Sequence, residues 1–412
     1  MQVVNLFDPI LDNMMLITPV EKWRRIRPAV SPAFSTGKLR KMNFLIADCA
    51  RKSAEHLKKT AEIEGELDIK RFYESYTLDV IARCAFATRL DSHRDETNEF
   101  VTKARQAFSG KVTLPLILLF LLPGIFKLLG MRAINSDILN YFKNICLKII
   151  ENRKENKSRQ EDFLQLMMDA QDGKVAATVE NASSTDEKLF NLDSEIKTDT
   201  SFAAGVKALT KDEALTQCVL FFLAGQDTTL STIAYTLYLL ALHPDIQAKL
   251  REEADECFEQ HGPDPSLDVV SKLQYLHGVI SESLRMFPPG ARLERTASND
   301  YVLGDTGIEV PKGCVIAVPV YAMHHELEYF PDPATFDPSR SVDENIATIR
   351  PYTYLPFGAG PRNCLGMRFA LETVKLSLLH SVRSVQFVRT ENTQVNLAIS
   401  LSLFFFSTGC PE

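Results

Sequence analysis

Phe357-Gly358-Ala359-Gly360-Pro361-Arg362-Asn363-Cys364-Leu365-Gly366 is the stretch on which the reading of this chain turns. One cysteine closes a loop rich in glycine and proline. Met367 to Leu376 follows with apolar residues at helical spacing and no breaker, so Cys364 stands at or just before a helix N-terminus. The dipole and free N–H groups at such an end favour a thiolate over a thiol. Gly360 and Gly366 admit positive φ or let the backbone come close to a flat ligand. Arg362, two residues ahead of the cysteine, is placed to neutralise a carboxylate. A thiolate held this way is a metal ligand, whereas a cysteine without such neighbours is more often an inert buried thiol.

Working outward, the 412 residues are 45% hydrophobic and 24% charged, ordinary values for a globular protein with a full core. No Gly/Ser/Pro-rich linker divides the chain, so one domain over 1–412 is expected. Residues 172–208 are rich in Ser, Thr, Asp, Glu, Asn and Lys with little periodicity, and read as a long polar loop. Asn181-Ala182-Ser183 within it fits a glycosylation acceptor. A net charge of −7 argues against nucleic acid as a partner. The eight cysteines are scattered without a C-x-x-C pair, which argues against a zinc site or a disulfide framework and fits a reducing compartment.

Along the chain, Glu21 to Pro28 reads as a short helix stopped by proline, with Trp23 and Arg27 four apart on one face. Residues 37–62 and 70–87 read as amphipathic helices, and Ile138 to Arg159 as a helix with a basic end. Leu114 to Leu129 is the most apolar stretch, but Pro115, Pro123 and Gly124 cut it too short to span a bilayer. It reads either as short helices dipping into a membrane face or as buried core. Thr210 and Glu213 form a capping box that opens a helix running to about Leu242, stopped before Pro244. That helix is apolar nearly all round and should be buried. Its middle nevertheless carries Ala224-Gly225-Gln226-Asp227-Thr228-Thr229. A glycine, an acid and two hydroxyls in a buried helix cost stability, and such an inconsistency is expected at a functional site. Gly225 permits close approach of a planar ligand. Thr228 can bond the carbonyl four residues back and loosen the helix enough to host water. Leu273 to Phe287 is a further helix, with Glu282 and Arg285 able to pair three apart. Ala291 to Arg295 reads as extended, Tyr301 to Val320 as short strands between turns, and Val395 to Phe406 as a strand and loop.

In this order these stretches resemble the signatures of the cytochromes P-450. Trp23 and Arg27 match W-x-x-x-R; Ala224, Gly225, Asp227 and Thr228 match A-G-x-[D/E]-T-[T/S]; Glu282 and Arg285 match E-x-x-R; Phe357, Gly360, Arg362, Cys364 and Gly366 match F-x-x-G-x-R-x-C-x-G. Ser31 to Phe34, Phe163 to Met167 and Ala291 to Arg295 are most similar to the microsomal 3A-like clan of drug and steroid oxidases. The resemblance implies a mostly α fold with small β-sheets, and haem b whose iron takes the Cys364 thiolate, one of the few axial ligands of haem. It implies propionate contacts from Trp23, Arg27 and Arg295, with Asp227 and Thr228 as an acid–alcohol pair delivering protons for O–O cleavage. It implies a structural lock of Glu282 and Arg285 with Arg340, although Asp337 to Ser341 keeps only Pro338 and Arg340 of the family's P-E-R-F.

The activity implied is hydroxylation of lipophilic compounds with O2 and NADPH. Electrons would come from NADPH–cytochrome P-450 reductase, with cytochrome b5 as a second partner, on the cytosolic face of the endoplasmic reticulum membrane. Apolar pocket candidates are Phe222, Leu223, Ala224, Pro289, Gly290 and Phe404. The family begins with an anchor and further helices and strands that have no counterpart before Trp23, so an N-terminally truncated form of the fold is expected. Three other readings stay open: a haem-thiolate isomerase of thromboxane-synthase type, a haem binder without activity, and a structural helical protein without haem.

Overall fold

The computed structural model describes residues 10–63, 65–107, 122–130, 136–174 and 208–394. The chain enters helically: α1 is Val20–Val30, α2 Thr36–Ile63, α3 Ile69–Phe86, α4 Glu99–Ala107, α5 Pro123–Leu128, α6 Ser136–Glu155 and α7 Phe163–Gln171. Then come α8 Lys211–Leu242, α9 Pro244–His261, α10 Leu267–Val270 and α11 Gln274–Met286. Four short strands follow: β1 Leu293–Thr296, β2 Tyr301–Leu303, β3 Ile308–Val310 and β4 Val315–Val318. After α12 Val320–His324, a run of turns leads to α13 Met367–Ser384.

The centre is α8. Thr210 and Glu213 close the expected capping box, with the Thr210 N–H donating to Glu213 Oε2 at 3.0 Å and the Glu213 N–H to Thr210 Oγ1 at 3.2 Å. Glu213 also receives both ends of the Arg25 guanidinium from α1, a contact that no local pattern announces. Pro244 opens α9 at its first turn, where its missing N–H costs nothing. Apolar side chains on nearly every side of α8 are buried, as they must be for a helix packed by α3, α6, α7, α11 and α13. α3 is tied in turn to α13, the Tyr73 hydroxyl donating to Ser381 Oγ at 2.7 Å and Tyr76 to the Thr373 carbonyl at 2.9 Å.

β1 pairs antiparallel with β4, Arg295 opposite Ile316, while β2 pairs with β3 in a hairpin. This matches the short strands expected between 291 and 320, with β4 turning back to β1 rather than extending the hairpin.

Several expectations are revised. α1 does not stop at Pro28 but runs through it to Val30. A proline this near the C-terminal end removes at most one helical bond, and burial of Ile26, Ala29 and Val30 outweighs that loss. α6 ends at Glu155, and Arg159 beyond it turns to Asp169, with Nη2 at 2.6 Å from the carboxylate. Of Leu114–Leu129, residues 122–129 are described: they form α5 and its flanks, with Leu122, Ile125, Leu128 and Leu129 exposed. Among the described residues no helix is long and apolar enough to cross a membrane. The start of the chain, most of the 172–208 stretch with Asn181, and the Val395–Phe406 stretch lie outside the described residues.

Candidate active site

The loop before α13 is held by its own backbone. The Cys364 N–H donates to the Phe357 carbonyl at 2.8 Å and the Asn363 N–H to the Gly360 carbonyl at 3.0 Å, which draws the two ends of the loop together. Gly360 has φ +73° and Gly358 φ +70°, conformations that favour glycine. Gly366, in contrast, caps α13 at φ −88°, so positive φ is not its role. Gly358 had no place in the motif reading and is revealed by its backbone.

Cys364 stands three residues before α13 and is an exposed residue, yet the protein around its sulfur desolvates it. A residue with both properties lines a recess. Desolvation pushes the thiol's pKa up, against a hydrogen bond from the Gly366 backbone and the charge of Arg27, which both lower it. The backbone bond and Arg27 favour the thiolate, as expected, but do not by themselves fix it. A coordinated metal cation would, because a coordinating thiol is deprotonated outright.

Three guanidinium groups gather around this loop. Arg362 lies over the Trp23 ring, 4.5 Å from its centroid. Arg27 donates from Nη1 to the Asn363 carbonyl at 3.0 Å and from Nη2 to Asn363 Oδ1 at 2.8 Å. Arg295, on β1, donates to its neighbour's carbonyl at 2.8 Å. Burial lowers the pKa of all three; Arg362 adds to this at Arg27, and Arg295 adds to it at Arg362. None of the three pairs with a carboxylate among the described residues. Partly desolvated cations that repel one another beside a thiol fit a dianionic, metal-bearing group, and haem with its two propionates is such a group.

α8 supplies the opposite wall. Ala224 is exposed in the middle of a helix that is otherwise mostly buried, with Leu223, Gly225, Asp227 and Thr228 half-buried around it. One turn earlier on the same face, Phe221 packs on Phe369 of α13 at 5.2 Å between ring centroids and on Phe34 at 5.6 Å. These contacts turn the Ala224 face toward the Cys364 side of the molecule. Gly225 also bears on helix packing: a Cβ there would come within 3.3 Å of Ile81 Cδ1 on α3. Phe222 is fully buried, 4.2 Å from the Phe142 ring of α6, and does not line a pocket. Phe404 lies outside the described residues.

Thr228 Oγ1 donates to the Ala224 carbonyl at 2.8 Å, and α8 stays an unbroken α-helix through this turn. The expected loosening is thus confined to a side-chain bond. Asp227 and Thr228 are not hydrogen-bonded to each other. Asp227 is turned toward α3: burial pushes its pKa up, and the nearby Lys70 pulls it part of the way back. Its charge also raises the pKa of Glu74, whose carboxylate is held by Arg105 Nε at 3.0 Å.

Away from the recess, Glu282, Arg285 and Arg340 meet despite the missing glutamate and phenylalanine of P-E-R-F. Arg285 pairs with Glu282 through Nε at 2.9 Å and Nη2 at 2.8 Å, and Arg340 Nε reaches Glu282 Oε1 at 3.3 Å. Asp337, just before Pro338, contributes its backbone N–H to Glu282 Oε1 at 3.3 Å. The network extends to the cysteine loop through His324, which motif reading passes over. Its main-chain carbonyl takes a bond from Arg285 Nη1 at 2.8 Å, and its Nε2 accepts the Leu355 N–H at 2.9 Å, two residues before Phe357. Tyr354 donates back to the Ser281 carbonyl of α11 at 2.7 Å.

The family model described as Cytochrome P450 matches residues 3–405. Cytochrome P450 3A2 of Rattus norvegicus is 35% identical over 396 residues, covering 95% of this chain and 73% of the relative. Cytochrome P450 3A41 of Mus musculus shows the same identity and coverage, and cytochrome P450 3A6 of Oryctolagus cuniculus is 34% identical over 403 residues, with 95% and 74% covered. With a family model matched over nearly its whole length and relatives at this level, the chain belongs to the cytochrome P450 family and is a haem monooxygenase.

Proposed function

We propose that Cys364 provides the thiolate ligand of haem b, that Trp23, Arg27, Arg295 and Arg362 receive its propionates, and that the enzyme hydroxylates lipophilic substrates. Steroids, fatty acids, drugs and other xenobiotics are the substrate classes that the similarity to the 3A relatives supports. The observation that carries the reading is the gathering of three guanidiniums, unpaired with any described carboxylate, around the loop that ends in Cys364.

Phe357, Gly360 and Gly366 would shape the loop side of the cofactor site, and Ala224, with the backbone at Gly225, would line its α8 side. Bound there, haem supplies the activation of O2. Cys364 would hold the iron through its sulfur, and a thiolate there would supply the electron density that this chemistry needs. The Thr228 hydroxyl holds a proton at the face of α8, and must turn from the Ala224 carbonyl to pass it inward. Asp227, its pKa raised by burial, exchanges protons on the α3 side and resupplies that hydroxyl through water. Glu282, Arg285 and Arg340 hold the scaffold on which the loop rests. In balance, substrate, O2, NADPH and a proton give the alcohol, water and NADP+.

NADPH–cytochrome P-450 reductase supplies the electrons in this reading, with cytochrome b5 as an auxiliary donor. The exposed leucine and isoleucine side chains of α5 rest on the cytosolic surface of the endoplasmic reticulum membrane. The chain acts as one domain, in keeping with a continuous apolar core from Ile10 to Phe387.

The carbon monoxide difference spectrum of the reduced, purified protein tests the reading directly. A thiolate-type spectrum is expected, and Cys364→Ser should abolish it together with turnover, because a serine hydroxyl is too weakly acidic and too hard to replace a thiolate. If the Cys364→Ser protein keeps the spectrum, the ligand assignment fails.

A further inference from the structure

The face of α1 that carries Trp23 and Arg27 grips the cysteine loop itself. The two residues are one helical turn apart and project toward the same neighbour. That neighbour is the residue pair immediately before Cys364. Trp23 lies under the Arg362 guanidinium at 4.5 Å, and Arg27 reaches both carbonyl oxygens of Asn363, main-chain at 3.0 Å and side-chain at 2.8 Å. The loop's own backbone bonds, Cys364 to Phe357 and Asn363 to Gly360, set its internal shape but not its position against α1. The side-chain contacts from α1 set that position.

We infer that Asn363 is a positioning residue: its two carbonyls, read together by the planar fork of Arg27, dock the loop on α1 and so set where the Cys364 sulfur stands. The choice of side chain supports this. A two-point contact to parallel guanidinium donors needs two acceptors in one plane, which an asparagine's main-chain and side-chain oxygens provide here. Being neutral, the asparagine leaves the charge of Arg27 free for an anionic ligand, whereas an aspartate would offset it. The consequence for the sulfur rests on Cys364 being the haem ligand; the docking contact does not.

The test uses the full, haem-loaded chain with Asn363→Ala, Asn363→Asp, Arg27→Ala and the Asn363→Ala/Arg27→Ala double variant. Amide hydrogen exchange is followed across residues 357–366, and the carbon monoxide difference spectrum is recorded for each. Hydrogen bonds to charged groups contribute enough that Asn363→Ala should speed loop exchange about tenfold or more. Asn363→Asp, which keeps both acceptors, should retain the protection of the parent. In the Arg27→Ala background, Asn363→Ala should add no further acceleration, because the same contact is already gone. The spectrum of Asn363→Ala should show a thiol-type component beside the thiolate one. Equal acceleration by Asn363→Ala with and without Arg27 would overturn the inference, as would loosening by Asn363→Asp equal to that by alanine. A looser loop with an unchanged spectrum would overturn the positioning of the sulfur. Failure of the ligand assignment would show separately, in Cys364→Ser keeping its thiolate spectrum.

Discussion

The hydroxyl of Thr228 donates to the carbonyl of Ala224, one turn back along α8, at 2.8 Å. The same back-bond recurs at Thr232 to Thr228 and Thr236 to Thr232, at 2.9 and 2.7 Å, so a ladder of threonines runs along this helix. Thr228 differs from the other two in standing beside the exposed Ala224, where its proton can reach the recess. Thr228→Ala should leave the helix and haem binding intact while lowering product formation on the order of 10²-fold, with reducing equivalents diverted to peroxide. Thr228→Ser should retain most of the coupling. The ratio of product and peroxide to NADPH consumed measures this, and an unchanged ratio in Thr228→Ala would remove the role assigned to the hydroxyl.

The Glu282–Arg285 pair is 1% exposed on both sides, and Arg285 also binds the carbonyls of His324 and Pro333 at 2.8 Å. Removing one partner strands a buried charge, which costs about 3–5 kcal/mol. Glu282→Gln and Arg285→Ala should therefore yield little folded protein, and Arg285→Lys should rescue poorly because an ammonium lacks the planar fork. Gly278→Ala should be comparably damaging, since its Cβ would lie 2.5 Å from the Pro338 carbonyl and 2.6 Å from Val342. Thermal midpoints and soluble yield decide the matter; a Gly278→Ala protein as stable as the parent would contradict this packing.

Burial holds three histidines neutral: the pKa of His93 is lowered to about 4, of His324 to about 3 and of His380 to about 4. Unfolded, each would titrate near 6.5. Between that value and the folded one, the unfolded chain binds protons that the folded chain does not. Their contribution is therefore fully present above pH 6.5 and is lost as pH falls toward 4. Asp79 works the other way. Burial raises it to about 6, so the folded protein gains stability as pH falls below that point. Asp227 and Glu74, also raised by burial, act with Asp79, and His325 acts with the other histidines. The three large histidine shifts, each unit equivalent to about 1.4 kcal/mol, outweigh the carboxylates and give net acid destabilisation. The thermal midpoint should drop steadily from pH 7 to pH 4.5, and His93→Gln should flatten that slope. A midpoint that rises on acidification would contradict the balance.

The apolar residues around α5 have no covering partner among the described residues, Leu128 being 84% exposed and Leu122 49%. Replacing both with aspartate should leave folding and the haem spectrum unchanged, since neither side chain is in the core. It should release the protein from phospholipid vesicles, because interfacial binding scales with buried apolar area. Vesicle sedimentation at physiological salt provides the readout, and undiminished binding would exclude α5 as the contact.

What could be read from the sequence alone was what depends on near neighbours in the chain. The Thr210–Glu213 capping box, the span of α8, the helix after Cys364 and the Glu282–Arg285 pairing all involve residues within one turn or one period of one another. The order of the four motifs was equally legible. Tertiary structure decided the rest, because the deciding partner lies far along the chain. Gly278 is required by the Pro338 carbonyl, and Gly225 packs close to Ile81 of α3. Arg25 finds Glu213, and His324 ties the Arg285 network to Leu355. Arg27 closes on Asn363 across 336 residues. A helical periodicity shows which face of a segment is buried, but not which backbone or side chain will press against it. The same holds for charge: the loop announces Cys364, but the Arg27 charge that lowers its pKa comes from α1, far along the chain.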